Sequence, residues 1–307
     1  MSVLSRKSLI RAFIRNVVRS QAEPTRSLAR QRLQIEMATL TIRAPAGLRV
    51  ERTDLGGIPC RRLTPRSARP GQHLLYLHGG AYITGSSRSH TALAGHIGDA
   101  AGANVWLLDY RLAPEHPFPA GRDDAVTAYR ALLAQDVPPR AIAIAGDSAG
   151  GGLGLATTLA LRDAGLPLPG ALALLSPWTD LTLSGASIVT KAAVEPMLNA
   201  EWLEWAAALY CGGDDERPGV LRTDPGVSPV FADLVGFPPL IVHVGSDEIL
   251  LDDATFLAAR AQRAGVEVVL REFPELWHVF QAQAKTLPEA DESIREIGAF
   301  LRRHSGG

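Results

Sequence analysis

Six short, nearly continuous apolar runs, each separated from the next by helix-length sequence, constrain this chain more than anything else in it. The runs are His73–Leu77 (HLLYL), Asn104–Leu108 (NVWLL), Ala141–Ala145 (AIAIA), Ala171–Leu175 (ALALL), Leu240–Val244 (LIVHV) and Glu267–Leu270 (EVVL). A strand that is apolar at successive positions is covered on both faces, which is the environment of a parallel sheet between helix layers. Helix-like segments near 89–101, 120–135, 150–164, 252–264 and 288–303 are long enough for the right-handed crossovers such a sheet needs. Two further strands near 48–53 and 58–63, with a turn around Asp54–Gly57, read as a hairpin at the sheet edge. The expectation is an α/β fold with about eight strands, mostly parallel, and helices on both faces.

Two segments fall outside this alternation. Residues 1–46 read as helix, with Ile10, Phe13, Ile14, Val17 and Val18 on one face and Lys7, Arg11, Arg15 and Arg19 spaced four apart on the other. An insertion over 176–239 carries a helix near 198–210 with Leu198, Trp202, Trp205 and Leu209 on one stripe. Both segments are expected to pack together over the carboxyl edge of the sheet, where open α/β sheets place their ligands. This divides the chain into an amino-terminal helical part of a cap, 1–46, and a catalytic domain, 47–307, with a cap insertion near 180–235.

Charge and cysteine content exclude several functions. The 307 residues carry 31 Lys+Arg against 32 Asp+Glu, without the positive surplus that nucleic-acid binding requires. Cys60 and Cys211 lie in unrelated contexts, so neither a disulfide framework nor a metal-ligand spacing is present in the sequence. No apolar run reaches the roughly 18 residues of a membrane span, and the start lacks the apolar core of a secretory signal. A cytoplasmic enzyme without stable membrane insertion is therefore expected. The balance is uneven, however: residues 1–52 hold eleven basic and three acidic side chains, a net +8, which leaves about −9 on the rest. Such a segment reads as a lid with its apolar face on the domain and its arginines in water or against acidic neighbours. A membrane-surface helix is the alternative.

The residues that carry chemistry lie at the ends of the apolar runs. After AIAIA comes Gly146-Asp147-Ser148-Ala149-Gly150, followed directly by a helix, which is the G-x-S-x-G elbow in its strand–turn–helix context. Small residues are needed there because strand and helix nearly touch, and the turn lifts the Ser148 hydroxyl off the sheet edge above a helix amino-terminus. After HLLYL comes His78-Gly79-Gly80-Ala81-Tyr82. Glycines allow a backbone to point N–H groups at a developing oxyanion, so Gly79, Gly80 and Ala149 are assigned to that hole. His78 reads as a hydrogen-bonded support for the loop.

A serine nucleophile needs a base oriented by a carboxylate, in the chain order Ser, Asp or Glu, His. Of eight histidines only His243, His278 and His304 follow Ser148. His243 lies inside LIVHV and reads as a satisfied core residue, and His304 lies in a polar tail. His278, just beyond the last strand, is assigned as the base. In Gly245-Ser246-Asp247-Glu248, Asp247 comes immediately off the strand and is assigned as the acid, with Glu248 as its competitor. Asp252 and Asp253 read as the cap of the next helix.

With these motifs in order, the sequence resembles the hormone-sensitive-lipase-like branch (bacterial family IV) of α/β-hydrolase serine esterases, from about residue 48 onward. The resemblance rests on HGGAY, on Tyr110–Ala120 (YRLAPEHPFPA), on GDSAGGG, on Ser176-Pro177-Trp178 and on the Asp247 and His278 loops. Ala81 departs from it, standing where many members have a third glycine. The family implies a Ser148–Asp247–His278 triad, a Gly79, Gly80 and Ala149 oxyanion hole, no metal or organic cofactor, and a small-molecule ester as substrate. Tyr82, Trp202, Trp205 and Leu209 are the candidate substrate contacts, and their roof suggests short- to medium-chain acyl groups. A lactone hydrolase, a deacetylase and an amide hydrolase share the same machinery, and a homodimer stays open. A non-catalytic small-molecule receptor on this fold typically lacks a triad member, and here all three are present.

Overall fold

The computed structural model describes residues 6–39, 42–212 and 219–305. In chain order the strands are β1 (Arg49–Leu55), β2 (Ile58–Thr64), β3 (His73–Leu77), β4 (Asn104–Leu108), β5 (Ile142–Asp147), β6 (Ala171–Leu175), β7 (Leu240–Gly245) and β8 (Val268–Phe273). The α-helices are α1 (Arg6–Phe13), α2 (Leu28–Thr39), α3 (Thr91–Ala101), α4 (Ala120–Leu133), α5 (Ala149–Asp163), α6 (Ser187–Thr190), α7 (Ala200–Cys211), α8 (Leu251–Arg263) and α9 (Pro288–Ser305). All eight strands form one sheet in the order β1-β2-β4-β3-β5-β6-β7-β8. The pairs from β4 through β8 are parallel, and β1 and β2 are antiparallel at one edge.

The apolar runs divide by alternate residues, as the two-residue period of a strand requires. Leu74, Tyr76, Val105, Leu107, Ala143 and Ala145 pack with α3 and α9 on one face. Leu75, Leu77, Trp106, Leu108, Ile142 and Ile144 pack with α4, α5 and α8 on the other. Each fully buried leucine contributes about 1.5–3 kcal/mol relative to exposure, so the two faces hold the strand ends rigidly. The edge hairpin turns on Gly56 and Gly57, both left-handed at φ 67° and 84°, and Asp54 Oδ1 accepts the Gly57 N–H at 3.0 Å. Two glycines suffice for the turn, so the strands run further than the sequence pattern predicts. β8 likewise continues past Leu270 to Phe273. Arg271 interrupts the pattern because this is an edge strand, and its guanidinium pairs with Glu292 at 2.7 Å on α9 and also with Glu296.

The two extra segments do pack together. Asn199 caps α7, accepting the Trp202 N–H at 2.8 Å, and donates from Nδ2 to Ala22 O at 2.8 Å. The Trp202 indole N–H donates to Gln31 Oε1 on α2, also at 2.8 Å. The amino-terminal segment is not one helix. α1 runs into a π turn (Ile14–Val18) and a 3-10 turn (Arg19–Gln21), and the chain breaks around Pro24 before α2, because proline cannot supply an intrahelical N–H. Residues 1–5 and 40–41 of this segment, and 213–218 of the insertion, lie outside the described residues.

The faces of α1 and of the two turns that follow it also differ from the sequence expectation. Ile14 is buried, with Ile10 and Val18 packed against Phe273, Leu276, Trp277 and Phe280, whereas Leu9, Phe13 and Val17 are exposed. The basic stripe meets the domain: Arg15, itself exposed, donates to Ala193 O at 3.0 Å, Arg19 donates to Glu195 O, and Lys7 pairs with Glu289 at 3.0 Å. Carbonyls of the turn after α6 and a carboxylate on α9 draw the cations in, an attraction that apolar periodicity does not register. Among the described residues no helix is long and apolar enough to cross a membrane.

Candidate active site

The carboxyl ends of β3, β5, β7 and β8 bring the predicted residues to one edge of the sheet. Ser148, between β5 and α5, sits at φ 55°, ψ −124°, a conformation that costs a non-glycine residue about 1–3 kcal/mol. Its neighbours make that strain obligatory: a Cβ on Gly146 would lie 2.3 Å from Gly150 O, and one on Gly150 2.0 Å from Leu77 O. The Ser148 N–H donates to Leu175 O at 2.8 Å, and its carbonyl accepts the Trp178 N–H at 3.0 Å. Ala149 opens α5, where an N–H has no acceptor within the helix.

The glycine loop is fixed from below. A Cβ on Gly79 would meet Asp147 Oδ2 at 2.2 Å, and Gly80 has φ 119° with a Cβ position 2.3 Å from Thr84 O. Both carbonyls are engaged, Gly80 O by Thr84 N–H at 2.9 Å and Gly79 O by His78 Nδ1 at 2.8 Å. His78 is buried and stacks on Tyr110 at 4.3 Å, and burial with the neighbouring His90 lowers it to about 4, so it serves as the neutral support read from the sequence.

Asp147 is a residue that sequence reasoning missed. It accepts the Tyr76 hydroxyl at 2.8 Å and pairs with His90 Nε2 at 3.3 Å. Burial opposes both charges, yet their attraction prevails, holding Asp147 below the usual carboxylate range and His90 above the usual imidazole range. This buried pair is the floor on which the Gly79 loop rests. Its only sequence signal was a carboxylate beside Ser148.

The carboxylate expected beside His278 requires one correction. His278 Nδ1 lies 3.0 Å from Glu248 Oε2, and Glu248, fully buried, also accepts the Ser176 hydroxyl at 2.7 Å and the Gly245 N–H. Asp247, the sequence choice, faces away and meets Arg11 Nη2 at 2.7 Å. The reason is the turn: Glu248 N–H bonds back to Gly245 O at 3.3 Å while Asp247 N–H is held by Leu276 O at 3.0 Å. The tight bend carries the fourth residue, not the third, under the imidazole. A usable signal existed in that Glu248 precedes Ile249 and Leu250, both buried, while Asp247 follows polar Ser246.

Ser176 joins these pieces. At φ 47° its hydroxyl donates to Glu248 and accepts the N–H of Val279, the residue after His278, at 3.0 Å. Because the Ser148 N–H donates to Leu175 O, the serine turn, Glu248 and His278 converge on one loop. Burial works against a charged His278, but the Glu248 hydrogen bond and the charges of Glu248, Glu195 and Asp147 outweigh it, raising the imidazole above its usual value. Glu195, fully buried on the cap side, is pushed up to about 7 by burial; its Oε1 accepts the Met197 N–H at 2.6 Å, and its Oε2 has no partner among the described residues.

The other sequence readings resolve as follows. His243 is buried in β7 with Nδ1 2.8 Å from Ser293 Oγ, a core residue as read, but only half satisfied, since its Nε2 has no hydrogen-bond partner among the described residues. His304 ends α9, half-buried and 3.2 Å from Glu267, so its place is a helix and not a loose tail. Asp252 and Asp253 lie in the first turn of α8 and tie the insertion down, accepting N–H groups of Ser187 at 2.8 Å and of Thr179 at 2.7 Å. Tyr82 is buried, stacked on Tyr210 at 3.8 Å, behind the elbow, and Trp202 is buried against α2. Trp205 and Leu209 are half-buried against the main core.

A parallel sheet whose strand ends carry a strained serine turn, a glycine loop and an acid–histidine pair defines an α/β hydrolase. Residues 74–282 match the family described as having the alpha/beta hydrolase fold, and the chain belongs to that family, on its bacterial hormone-sensitive-lipase branch. An acetyl-hydrolase of Streptomyces hygroscopicus is 49% identical over 236 residues, 77% of each chain. An esterase of Acinetobacter venetianus is 39% identical over 229 residues, 75% of this chain and 74% of its own. The crystal structure of an esterase from the bacterial hormone-sensitive lipase family superposes with a TM-score of 0.92 at 42% identity, over 100% of both chains. The chain is a carboxylic ester hydrolase.

Proposed function

We propose that this enzyme is a serine carboxylesterase acting on short- to medium-chain acyl esters, with Ser148 as nucleophile, His278 as base and Glu248 as the acid that orients it. The reading is carried by the His278–Glu248 pair at the strand ends, tied through Ser176 to the Ser148 elbow. Glu248 accepts from Nδ1–H, which leaves Nε2 free to take the Ser148 proton as Oγ attacks the ester carbonyl. N–H groups of Gly79, Gly80 and Ala149 receive the oxyanion, charge stabilisation that needs no reorganisation. His278 then protonates the leaving alcohol, and water hydrolyses the acyl-enzyme by the same route.

The packed aromatic residues argue for small acyl groups. Tyr82 and Trp202 are committed to buried contacts, so Trp205 and Leu209 are the cap side chains of the predicted set with surface to offer. The Streptomyces relative's description as an acetyl-hydrolase favours the short end of the range. The test is a panel of chromogenic esters from acetyl to palmitoyl, with lactones and anilides alongside. Turnover should peak between acetyl and hexanoyl, and Ser148→Ala should lower kcat roughly a millionfold with the circular dichroism unchanged. Preference for palmitoyl would overturn the substrate range, and wild-type turnover in the variant would overturn the nucleophile.

A further inference from the structure

We propose that Arg11, on α1, is a positioning residue of the esterase reaction, clamping the acid loop and the histidine loop to the cap through a single guanidinium. Its Nη2 donates to Asp247 Oδ2 and to Glu275 O, each at 2.7 Å, and its Nη1 donates to Val194 O at 2.9 Å. Its guanidinium carbon stands 5.4 Å from the centroid of the Trp277 ring. Three of the four partners are one step from these groups in sequence: Asp247 precedes Glu248, Trp277 precedes His278, and Val194 precedes the buried Glu195; Glu275 lies three residues before His278.

The arginine chemistry fits the task. A planar fork with five donors can hold three acceptors at fixed angles, which the point charge of a lysine cannot do. The loops it joins are already in touch: the Glu275 N–H donates to Ser246 Oγ at 2.8 Å, and a Cβ on Gly245 would lie 2.3 Å from Leu276 O. Arg11 closes the outer side of that contact and ties it to the cap. The side chain of Asp247 is only 19% exposed, so its charge needs this partner. The carboxylate that sequence order nominated as the catalytic acid thereby becomes the anchor of the clamp. Displacement of a base by about 1 Å is enough to cost a hundredfold in rate.

This proposal rests on the esterase reading, and the experiment separates the two. Arg11→Ala, Arg11→Lys, Asp247→Asn and the double variant Arg11→Ala/Asp247→Asn are assayed on p-nitrophenyl acetate, with active sites counted by a fluorophosphonate. Lys7→Ala, on the same helix but paired with Glu289, is the control. We expect kcat per titrated site to fall about ten- to thirtyfold in Arg11→Ala and in Asp247→Asn, with KM within twofold. Arg11→Lys should recover little, the double variant should be no worse than either single one, and Lys7→Ala should match wild type. If Arg11→Ala does not fold, Asp247→Asn, which keeps the other two Arg11 bonds, carries the test. A kcat per site within threefold of wild type in Asp247→Asn and in any folded Arg11 variant overturns the proposal and leaves the esterase reading standing. Absence of both turnover and fluorophosphonate labelling in the wild type overturns the esterase reading itself.

Discussion

Two adjacent carboxylates on one loop have opposite environments, and on the proposed mechanism that difference separates their roles. Glu248 is fully buried on His278 and Ser176, while Asp247 is paired with Arg11 at the surface of the same turn. Glu248→Gln should lower kcat by about three to four orders of magnitude, because an amide favours the wrong imidazole tautomer without disturbing the geometry. Asp247→Asn should cost far less, and the reverse ranking in a steady-state assay would return Asp247 to the acid position. Glu195 supplies a second experiment. Its folded-state value, about 7, lies above the ordinary 4.5, so the buried carboxyl is neutral in acid and is forced to ionise as pH rises. The stability it leaves intact below pH 4.5 is lost progressively up to about pH 7, roughly 3 kcal/mol in all. Glu195→Gln should match wild type in chemical denaturation at pH 4.5 and exceed it at pH 8. The groups facing His278 are Glu248 from the acid loop, Asp147 from β5 and Glu195 from the cap turn. Removing one of these negative charges should also shift the acid limb of kcat/KM to lower pH, because His278 must be neutral to act. Equal stability at pH 8 would show that burial does not raise the Glu195 carboxyl, and an unmoved limb would show that its charge does not act on His278.

At the scale of elements, what was legible followed from periodicity, and what was not depended on contacts between distant segments. The six runs became strands because burial on both faces leaves an unbroken apolar signature, and G-x-S-x-G became an elbow because Gly146 and Gly150 have no room for a Cβ. Ser148, Gly79, Gly80, Ala149 and His278 could be placed from strand ends alone. Glu248 could not, since its selection over Asp247 depends on a four-residue turn whose hydrogen bonds run to Gly245 and Leu276. β8 was cut short because an edge strand carries polar residues such as Arg271. The orientation of α1 was unreadable for a related reason. Its apolar residues fill more than one face, and Ile10, Ile14 and Val18 find the Trp277 cluster while Leu9, Phe13 and Val17 do not. Asp147 went unread because nothing local marks a carboxylate whose partners, Tyr76 and His90, lie on other elements.

Over the whole molecule, three cations of residues 1–52, the segment with a net +8, pair with carboxylates of the remainder, which carries about −9. Lys7 meets Glu289, Arg11 meets Asp247, and Arg32 meets Glu115 in a two-point contact, both oxygens at 2.7 Å. The Arg32 hydrogen bond draws Glu115 down to about 2, and the same guanidinium donates to Ile83 O at 2.8 Å and Ala113 O at 3.0 Å, on the loops after β3 and β4. Exposed ion pairs contribute little to stability singly, but these arginines also satisfy carbonyls of loops that border the glycine loop and the catalytic pair. We therefore propose that the segment serves the active edge and not a membrane surface. Deleting residues 1–40 should lower kcat/KM on p-nitrophenyl acetate in free solution by at least about a hundredfold, since it removes both Arg11 and the α2 packing of Trp202. A Leu9→Ser/Phe13→Ser variant, altering only the exposed row of α1, should keep wild-type turnover. A truncated enzyme that hydrolyses normally but no longer sediments with anionic vesicles would reverse the assignment, because the basic stripe would then serve a lipid surface and the contacts to Asp247 and Glu115 would be incidental to catalysis.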